Sequence, residues 1–73
     1  MEHPRITLKA ARVNANLSQK EAAAALGVNV STVQNYETGA TVPDWKMVKR
    51  IEDVYGFPAD YIIFGQVSAL SGI

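Results

Sequence analysis

Residues 31–38 carry polar side chains of a kind that can read nucleic-acid bases. Ser31, Gln34, Asn35 and Thr38 are spaced so that they share one face if this segment is helical. Gln and Asn amides can form paired hydrogen bonds with adenine N6 and N7 in the major groove, and Val30 can contact a thymine methyl group. The simpler interpretation is a solvated helix face, so the surrounding elements must decide between the two.

The composition indicates one small domain over residues 1–73, with 48% hydrophobic and 19% charged residues. The absence of cysteine excludes disulfides and thiolate metal sites. His3 has no partner ligand and no nucleophile–base pair is evident, so we expect no enzyme, no metal, no other cofactor and no small-molecule ligand. The apolar runs "AAAAL" and "YIIF" are too short to cross a bilayer, and no signal peptide is evident. We therefore expect a cytoplasmic protein without a membrane segment.

The net charge is zero, but the charges are unevenly distributed along the chain. Seven basic and four acidic residues give residues 1–50 a net charge of +3, whereas residues 51–73 carry three acidic residues and no basic ones. A positive first part suits a protein that presents one end to a polyanion. Scattered surface charge is the alternative, and charge alone favours it.

Helix start and stop signals predict five helices and no strand of useful length. Each start has a capping residue or a proline, and each end has a glycine or an asparagine. The predicted starts are Thr7, Ser18 of the S-x-x-E capping box, Asn29, Asp44 and Pro58, and the predicted ends lie near Asn14–Asn16, Gly27, Gly39, Gly56 and Gly65. The sequence therefore predicts an all-α domain of five short helices.

The second and third helices are separated by only Gly27-Val28-Asn29. So short a connection with a glycine holds two helices at a steep angle, as in a helix-turn-helix. The close crossing requires a small residue on the first helix and a modest apolar residue on the second. Ala23 and Val33 are placed for that contact.

These features together resemble the lambda-repressor and Cro family, also called XRE-like, of helix-turn-helix transcription factors. The resemblance covers residues 6–64, and it is carried by "LSQKEAAAALGVNVSTVQNYETG", "VPDW" and "YGFPADYIIFG". It implies a compact five-helix lambda-repressor-like DNA-binding domain with its helix-turn-helix at residues 18–38. The third helix would lie in the major groove and the second across the backbone. Small proteins of this type occur as phage repressors, Cro-like switches and regulators of mobile elements.

The resemblance also assigns roles in DNA contact. The base-reading positions are Val30, Ser31, Gln34 and Asn35. Gln19 matches a glutamine that in this family often contacts a phosphate and braces the reading helix. The reading helix lacks Lys and Arg, unlike that of many members, so contacts to the DNA backbone must come from elsewhere. The candidates are Lys9, Lys20, Lys46, Arg5, Thr38 and backbone amides.

Other residues are expected to be structural. Arg12 and Glu37 lie on the apolar sides of their helices, and the family often has a partly buried salt bridge at these positions, which would lock the first helix to the third. Tyr36 and Trp45 are predicted to lie in the core or at its edge. Stacking on bases is the alternative for these two aromatic residues, and a position against a sugar–phosphate strand is a further alternative for Trp45, near the start of the fourth helix.

The C-terminal segment suggests a dimer. Ile62, Ile63 and Phe64 are consecutive, so a short helix cannot turn all three inward. Apolar residues then recur every three positions in the tail, residues 66–73. An exposed apolar strip often marks an interface. We therefore expect a homodimer on a palindromic operator in double-stranded DNA, and the predicted interface residues are Ile63, Phe64, Val67 and Leu70. The alternative is a tail that folds back on its own core or is disordered.

Two functions from different classes remain open. The first is sequence-specific DNA binding by a small repressor-like or Cro-like regulator. The second is a helix-turn-helix module that binds protein, such as an antitoxin or anti-repressor, which the zero net charge and the reading helix without basic residues favour slightly. Against the second, antitoxins usually carry a longer toxin-binding arm than the eight residues after Gly65.

Overall fold

The computed structural model describes residues 5–64 and contains four α-helices that pack around one core. A short 3-10 turn follows the last helix, and two strands of two residues each pair with one another. The elements are β1 (Ile6–Thr7), α1 (Leu8–Asn14), α2 (Gln19–Leu26), α3 (Val30–Thr38), α4 (Trp45–Tyr55), the 3-10 turn Ala59–Tyr61 and β2 (Ile62–Ile63). The predicted all-α class is confirmed, because the strands involve only four residues.

The predicted fifth helix is wrong in detail. The segment after Pro58 forms the 3-10 turn and then strand β2, which runs parallel to β1. The strand pairing aligns Ile6 with Ile62 and Thr7 with Ile63. Isoleucine is branched at Cβ and favours extended backbone, and β1 supplies the hydrogen-bonding partner that a local sequence pattern cannot reveal. This pairing ties the beginning of the described chain to its end.

The helix starts follow the predicted local chemistry at three of four positions. Thr7, Ser18 and Asp44 each accept a hydrogen bond from the backbone N–H three residues later, at 3.0, 3.0 and 2.8 Å. The Glu21 carboxylate completes the capping box by accepting from the backbone N–H of Ser18 at 2.8 Å, and this bond and the Ser18 hydroxyl hold the pKa of Glu21 below its usual value. Asn29 occupies the start of α3, but its side chain makes no capping hydrogen bond.

The core is built from side chains of all four helices and of β2, most of them small or aliphatic. The inner face of α2 is buried, with Leu26 at 1% exposure, and Ala23 and Val33, which were predicted to be in contact, lie in the same cluster. Small alanines on α2 allow α3 to pack closely against it. The buried hydrophobic residues are Leu8, Ala11, Ala22, Ala23, Leu26, Val33, Ile51, Tyr55 and Ile62.

The predicted burial of Trp45 is wrong, because 74% of this residue is exposed. Trp45 is the first residue of α4, whereas Met47 packs against the core and Ile51 and Tyr55 are buried in it. Pro43 is buried two residues before the tryptophan. Helical periodicity identifies which face of α4 is apolar, but it does not say how far along the helix the core extends.

Gly27 gives the turn between α2 and α3 its shape. Its φ of 75° lies in the left-handed region, as predicted for a glycine stop. A Cβ at this position would meet only Nη1 of Arg50, at 3.6 Å, so the cost of a side chain would come from the backbone rather than from a clash.

We expect Gly27→Val to lower the free energy of unfolding by about 1 kcal/mol or more, because a β-branched residue is strained at positive φ. Urea unfolding monitored by circular dichroism measures the loss. Gly27→Asn is the matched control, since Asn tolerates the left-handed region. Equal stability of the valine variant and the native chain would contradict the assigned turn.

Candidate nucleic-acid interface

The outer face of α3 is polar and open to solvent. Ser31, Gln34, Asn35 and Thr38 are all exposed, whereas Val33 on the opposite side is 1% exposed. Val30 is half-buried at the start of the helix. The same helix therefore anchors itself in the core and presents hydrogen-bonding groups to the outside, as a reading helix must.

A chain of hydrogen bonds links this face to a buried ion pair. Nε and Nη2 of Arg12 donate to the two carboxylate oxygens of Glu37 at 2.5 and 3.4 Å. Nε2 of Gln19 donates to Oε1 of Glu37 at 3.0 Å, and Nε2 of Gln34 donates to Oε1 of Gln19 at 3.3 Å. The expected pair between Arg12 and Glu37 is thus present, and it extends through Gln19 to the surface of α3.

Arg12 joins three parts of the fold. Besides its pairing with Glu37, Nη1 of Arg12 donates to the carbonyl oxygen of Leu17 at 2.7 Å, in the connection between α1 and α2. The side chains of Arg12 and Glu37 are only 8% and 5% exposed. Because the guanidinium and carboxylate satisfy each other at two points, the charges are accommodated away from water and fix α1 against α3.

Tyr55 of α4 lies in the core, where charged groups influence its titration. Burial raises the pKa of Tyr55 to about 12, the negative charge of Glu37 also raises it, and the positive charge of Arg12 partly opposes this effect. An unfolded tyrosine titrates near pH 10. The native state therefore holds this proton more tightly than the unfolded state does.

This difference predicts loss of stability in alkali. The contribution of Tyr55 is fully present below about pH 10 and declines as the pH rises towards about 12, because the unfolded chain loses the proton first. Tyr55→Phe should reduce the dependence of the free energy of unfolding on pH above about pH 10. Urea unfolding at pH values on both sides of pH 10 measures this dependence. Tyr36→Phe is the control. Profiles of the same slope for native protein and Tyr55→Phe would disprove the link.

Most of the candidate residues for contact with the DNA backbone lie at helix starts. Lys9, Lys20 and Lys46 are the second residues of α1, α2 and α4, and all three are exposed. Gln19 is the half-buried first residue of α2 and is already hydrogen-bonded to α3. Thr38 is exposed at the end of α3, where its hydroxyl donates to the carbonyl oxygen of Asn35 at 3.3 Å. Arg5 is exposed before β1.

The predicted dimer residues fall in two groups. Ile63 lies in β2 opposite Thr7, and Ile63 and Phe64 are both half-buried, with Phe64 packed against the core. Val67 and Leu70, like the rest of the tail, lie outside the described residues. The dimer interface therefore stays a prediction.

Two contacts near the motif were not anticipated. Nη1 of Arg50 on α4 donates to the carbonyl oxygen of Leu26 at 3.4 Å, at the end of α2. The Lys49 ammonium lies 5.8 Å from the centre of the exposed Trp45 ring, a cation–π arrangement. The Arg50 contact crosses 24 residues of sequence, so no local pattern marks it. The Lys49–Trp45 spacing of four within α4 is a signal that could have been noticed.

A family model described as helix-turn-helix matches residues 8–62, from the first residue of α1 to the first residue of β2. The chain belongs to this Cro/C1-type, XRE-like helix-turn-helix family. No curated protein and no solved structure shows significant similarity to it.

Membership of the Cro/C1-type family supports a DNA-binding regulator, since this family consists of such regulators and not of enzymes. Among residues 5–64, no helix has the length and apolar character needed to span a membrane. Over the same residues, no three His, Cys, Asp or Glu side chains lie close enough together to hold a metal ion.

Proposed function

We propose that this protein binds double-stranded DNA sequence-specifically through α3 and acts as a small repressor-like or Cro-like transcriptional regulator of phage or mobile-element type. The observation that carries the proposal is the exposed polar face of α3, mounted on the helix-turn-helix of a Cro/C1-type domain. The two amides and two hydroxyls on this outer face supply the hydrogen-bond donors and acceptors that recognition of base edges requires. The cytoplasmic location predicted from the sequence belongs to this proposal, since the ligand is DNA inside a cell.

The side chains on this face supply direct readout. Asn35 and Gln34 can each offer a donor and an acceptor to adenine, Ser31 can donate or accept, and the methyl groups of Val30 suit a thymine methyl. None of these groups is charged, so they contribute discrimination between bases rather than sequence-independent affinity.

Attraction to phosphate comes from outside α3 in this proposal. The exposed cations Lys9, Lys20 and Lys46 are the candidates, together with the hydroxyl of Thr38 and the amide of Gln19 at the start of α2. Lysine–phosphate contacts release counterions, so binding should weaken as salt increases. With few cations and one short reading helix, a single copy should bind weakly, which makes pairing of two copies important.

We further propose that two copies bind a palindromic operator, with half-sites about 34–36 Å apart as in two-fold helix-turn-helix dimers. The proposed contact surface comprises Ile63, Phe64, Val67 and Leu70, whose support is the apolar pattern of the sequence. A two-fold interface must be complementary to itself, and apolar strips meet this condition readily.

A chain cut after Gly65 should bind a palindromic operator as one copy and with lower affinity, because it lacks half of the proposed surface. Sedimentation with and without operator DNA gives the stoichiometry, and titration gives the affinity. Circular dichroism establishes that the shortened chain remains folded. Equal affinity and a two-to-one complex for the cut chain would overturn this interface.

Selection of bound fragments from a random duplex pool tests the function itself. We expect enrichment of one sequence with internal two-fold symmetry, with affinity that falls as salt rises. Binding without any preferred sequence, or no binding at low salt, would overturn sequence-specific recognition. The second outcome would favour the protein-binding alternative, for which exposed Val42 and Trp45 provide apolar surface.

A further inference from the structure

Gln34 on the reading face is not an independent side chain. Its Nε2 donates to Oε1 of Gln19 at 3.3 Å, and Nε2 of Gln19 donates to Oε1 of Glu37 at 3.0 Å. The side chain of Glu37 is 5% exposed and is held on its other side by Arg12. We call Gln34, Gln19 and Glu37 the amide relay, because the orientation of each group constrains the next.

The buried end of the amide relay fixes which group of each amide donates a hydrogen bond and which accepts one. A carboxylate paired with a guanidinium has only acceptor oxygens, so Gln19 must present its NH₂ group to Glu37. The oxygen of the same amide then points towards Gln34 and can only accept. Gln34 therefore commits one N–H to Gln19, and it keeps one N–H and its Oε1 for an outside partner.

This remaining pair of groups discriminates between purines. Adenine presents an acceptor, N7, beside a donor, the N6 amino group, which match one N–H and one amide oxygen. Guanine presents two acceptors, N7 and O6, so the oxygen of Gln34 would face another oxygen. An amide free to turn could offer both of its N–H groups to guanine, but the amide relay has already used one of them.

We infer that Glu37, acting through Gln19, fixes the amide of Gln34 so that it selects adenine over guanine in the operator. The inference rests on the proposed function, since it requires α3 to read base pairs. Glu37 is a positioning residue in this scheme: it does not touch DNA, and its effect is on base preference.

Two variants test the direction of the relay. In Glu37→Gln, Arg12 donates to the oxygen of the introduced amide, so the NH₂ group of that amide faces Gln19. Gln19 must then accept at this side with its oxygen and donate to Gln34 with its NH₂ group, which reverses the amides of both residues. Gln34 would now present two N–H groups, so the preferred base should change from adenine to guanine. In Gln19→Ala the amide of Gln34 is released, and a native preference of about tenfold or more should fall below about threefold.

The measurement is selection from a random duplex pool, followed by titration of operators that differ only by adenine or guanine at one position. Gln34→Ala identifies that position. Lys20→Ala, next to Gln19 but outside the relay, is the matched control and should weaken both operators equally. The ratio of two affinities within one variant is unaffected by any phosphate contact that Gln19→Ala removes. Circular dichroism checks each variant for folding, and Gln19→Ala decides the matter if Glu37→Gln is unfolded.

The outcomes separate the inference from the function on which it rests. If the native protein enriches no sequence, the proposed function fails and the inference falls with it. If a sequence is enriched, but the adenine-to-guanine ratio is the same in native protein and Gln19→Ala, then only the inference is overturned. A Gln34→Ala variant with unchanged preference at every position would also overturn it.

Discussion

Arg12→Ala should lower the free energy of unfolding by about 3–5 kcal/mol, because it leaves the carboxylate of Glu37 buried without its partner. The two side chains are 8% and 5% exposed, so water cannot readily replace the guanidinium. The variant also loses the hydrogen bond from Arg12 to the carbonyl oxygen of Leu17. Small domains are stable by only about 5–15 kcal/mol, so this loss removes a large share of the total. Urea unfolding followed by circular dichroism measures it.

The double variant Arg12→Met, Glu37→Leu is the matched control. It replaces both charges with apolar side chains of similar size, which often leaves stability unchanged or improves it. We therefore expect the double variant to be clearly more stable than Arg12→Ala, while it loses the connection from Glu37 to Gln19. If the free energy of unfolding of Arg12→Ala lies within about 1 kcal/mol of the native value, the ion pair does not hold the helices together.

Helix ends were predictable because their chemistry is local. A hydroxyl at Thr7 or a carboxylate at Asp44 needs only the N–H three residues later, and both bonds are present. The glycine stop at Gly27 likewise depends on one residue's access to positive φ, which the structure confirms. Such signals operate within one turn of the chain, so a single sequence contains all the information that they require.

The errors of prediction lie where distant partners decide the outcome. Ile62 and Ile63 were assigned to a fifth helix, but β1 lies alongside and pairs with them. Trp45 was expected in the core or at its edge and is nevertheless 74% exposed, whereas Met47, two residues further along α4, packs against the core. Both outcomes depend on tertiary arrangement, which overrides local preference.

The candidate site also combines features that the local sequence predicts with features that depend on distant contacts. The spacing of Ser31, Gln34 and Asn35 was enough to predict one exposed polar face, because helical geometry alone creates it. The hydrogen bonds of Gln19 to Glu37 and Gln34 span 18 and 15 residues, respectively. Resemblance to the family suggested that Gln19 braces the reading helix, whereas the direction of donation could be read only from the structure.

Asn35→Ala should weaken binding to the selected operator by about 1–3 kcal/mol, if its amide makes a paired contact with one base. Asn35 is exposed on α3 and lies outside the buried core, so the variant should unfold at the same urea concentration as the native protein. Gln34→Ala should cause a loss of similar size at a different base pair. Titration against the operator and against single-base variants of it locates the base pair that each residue reads.

Asn14→Ala provides the matched control for Asn35→Ala, because it removes the same amide from an exposed position at the end of α1. It should leave the preferred sequence unchanged. Loss of discrimination at one base pair, rather than a uniform loss across all operators, distinguishes a base contact from a phosphate contact. If Asn35→Ala and Gln34→Ala both retain the native sequence preference, α3 is not the reading helix, and recognition must be sought on another surface of the domain.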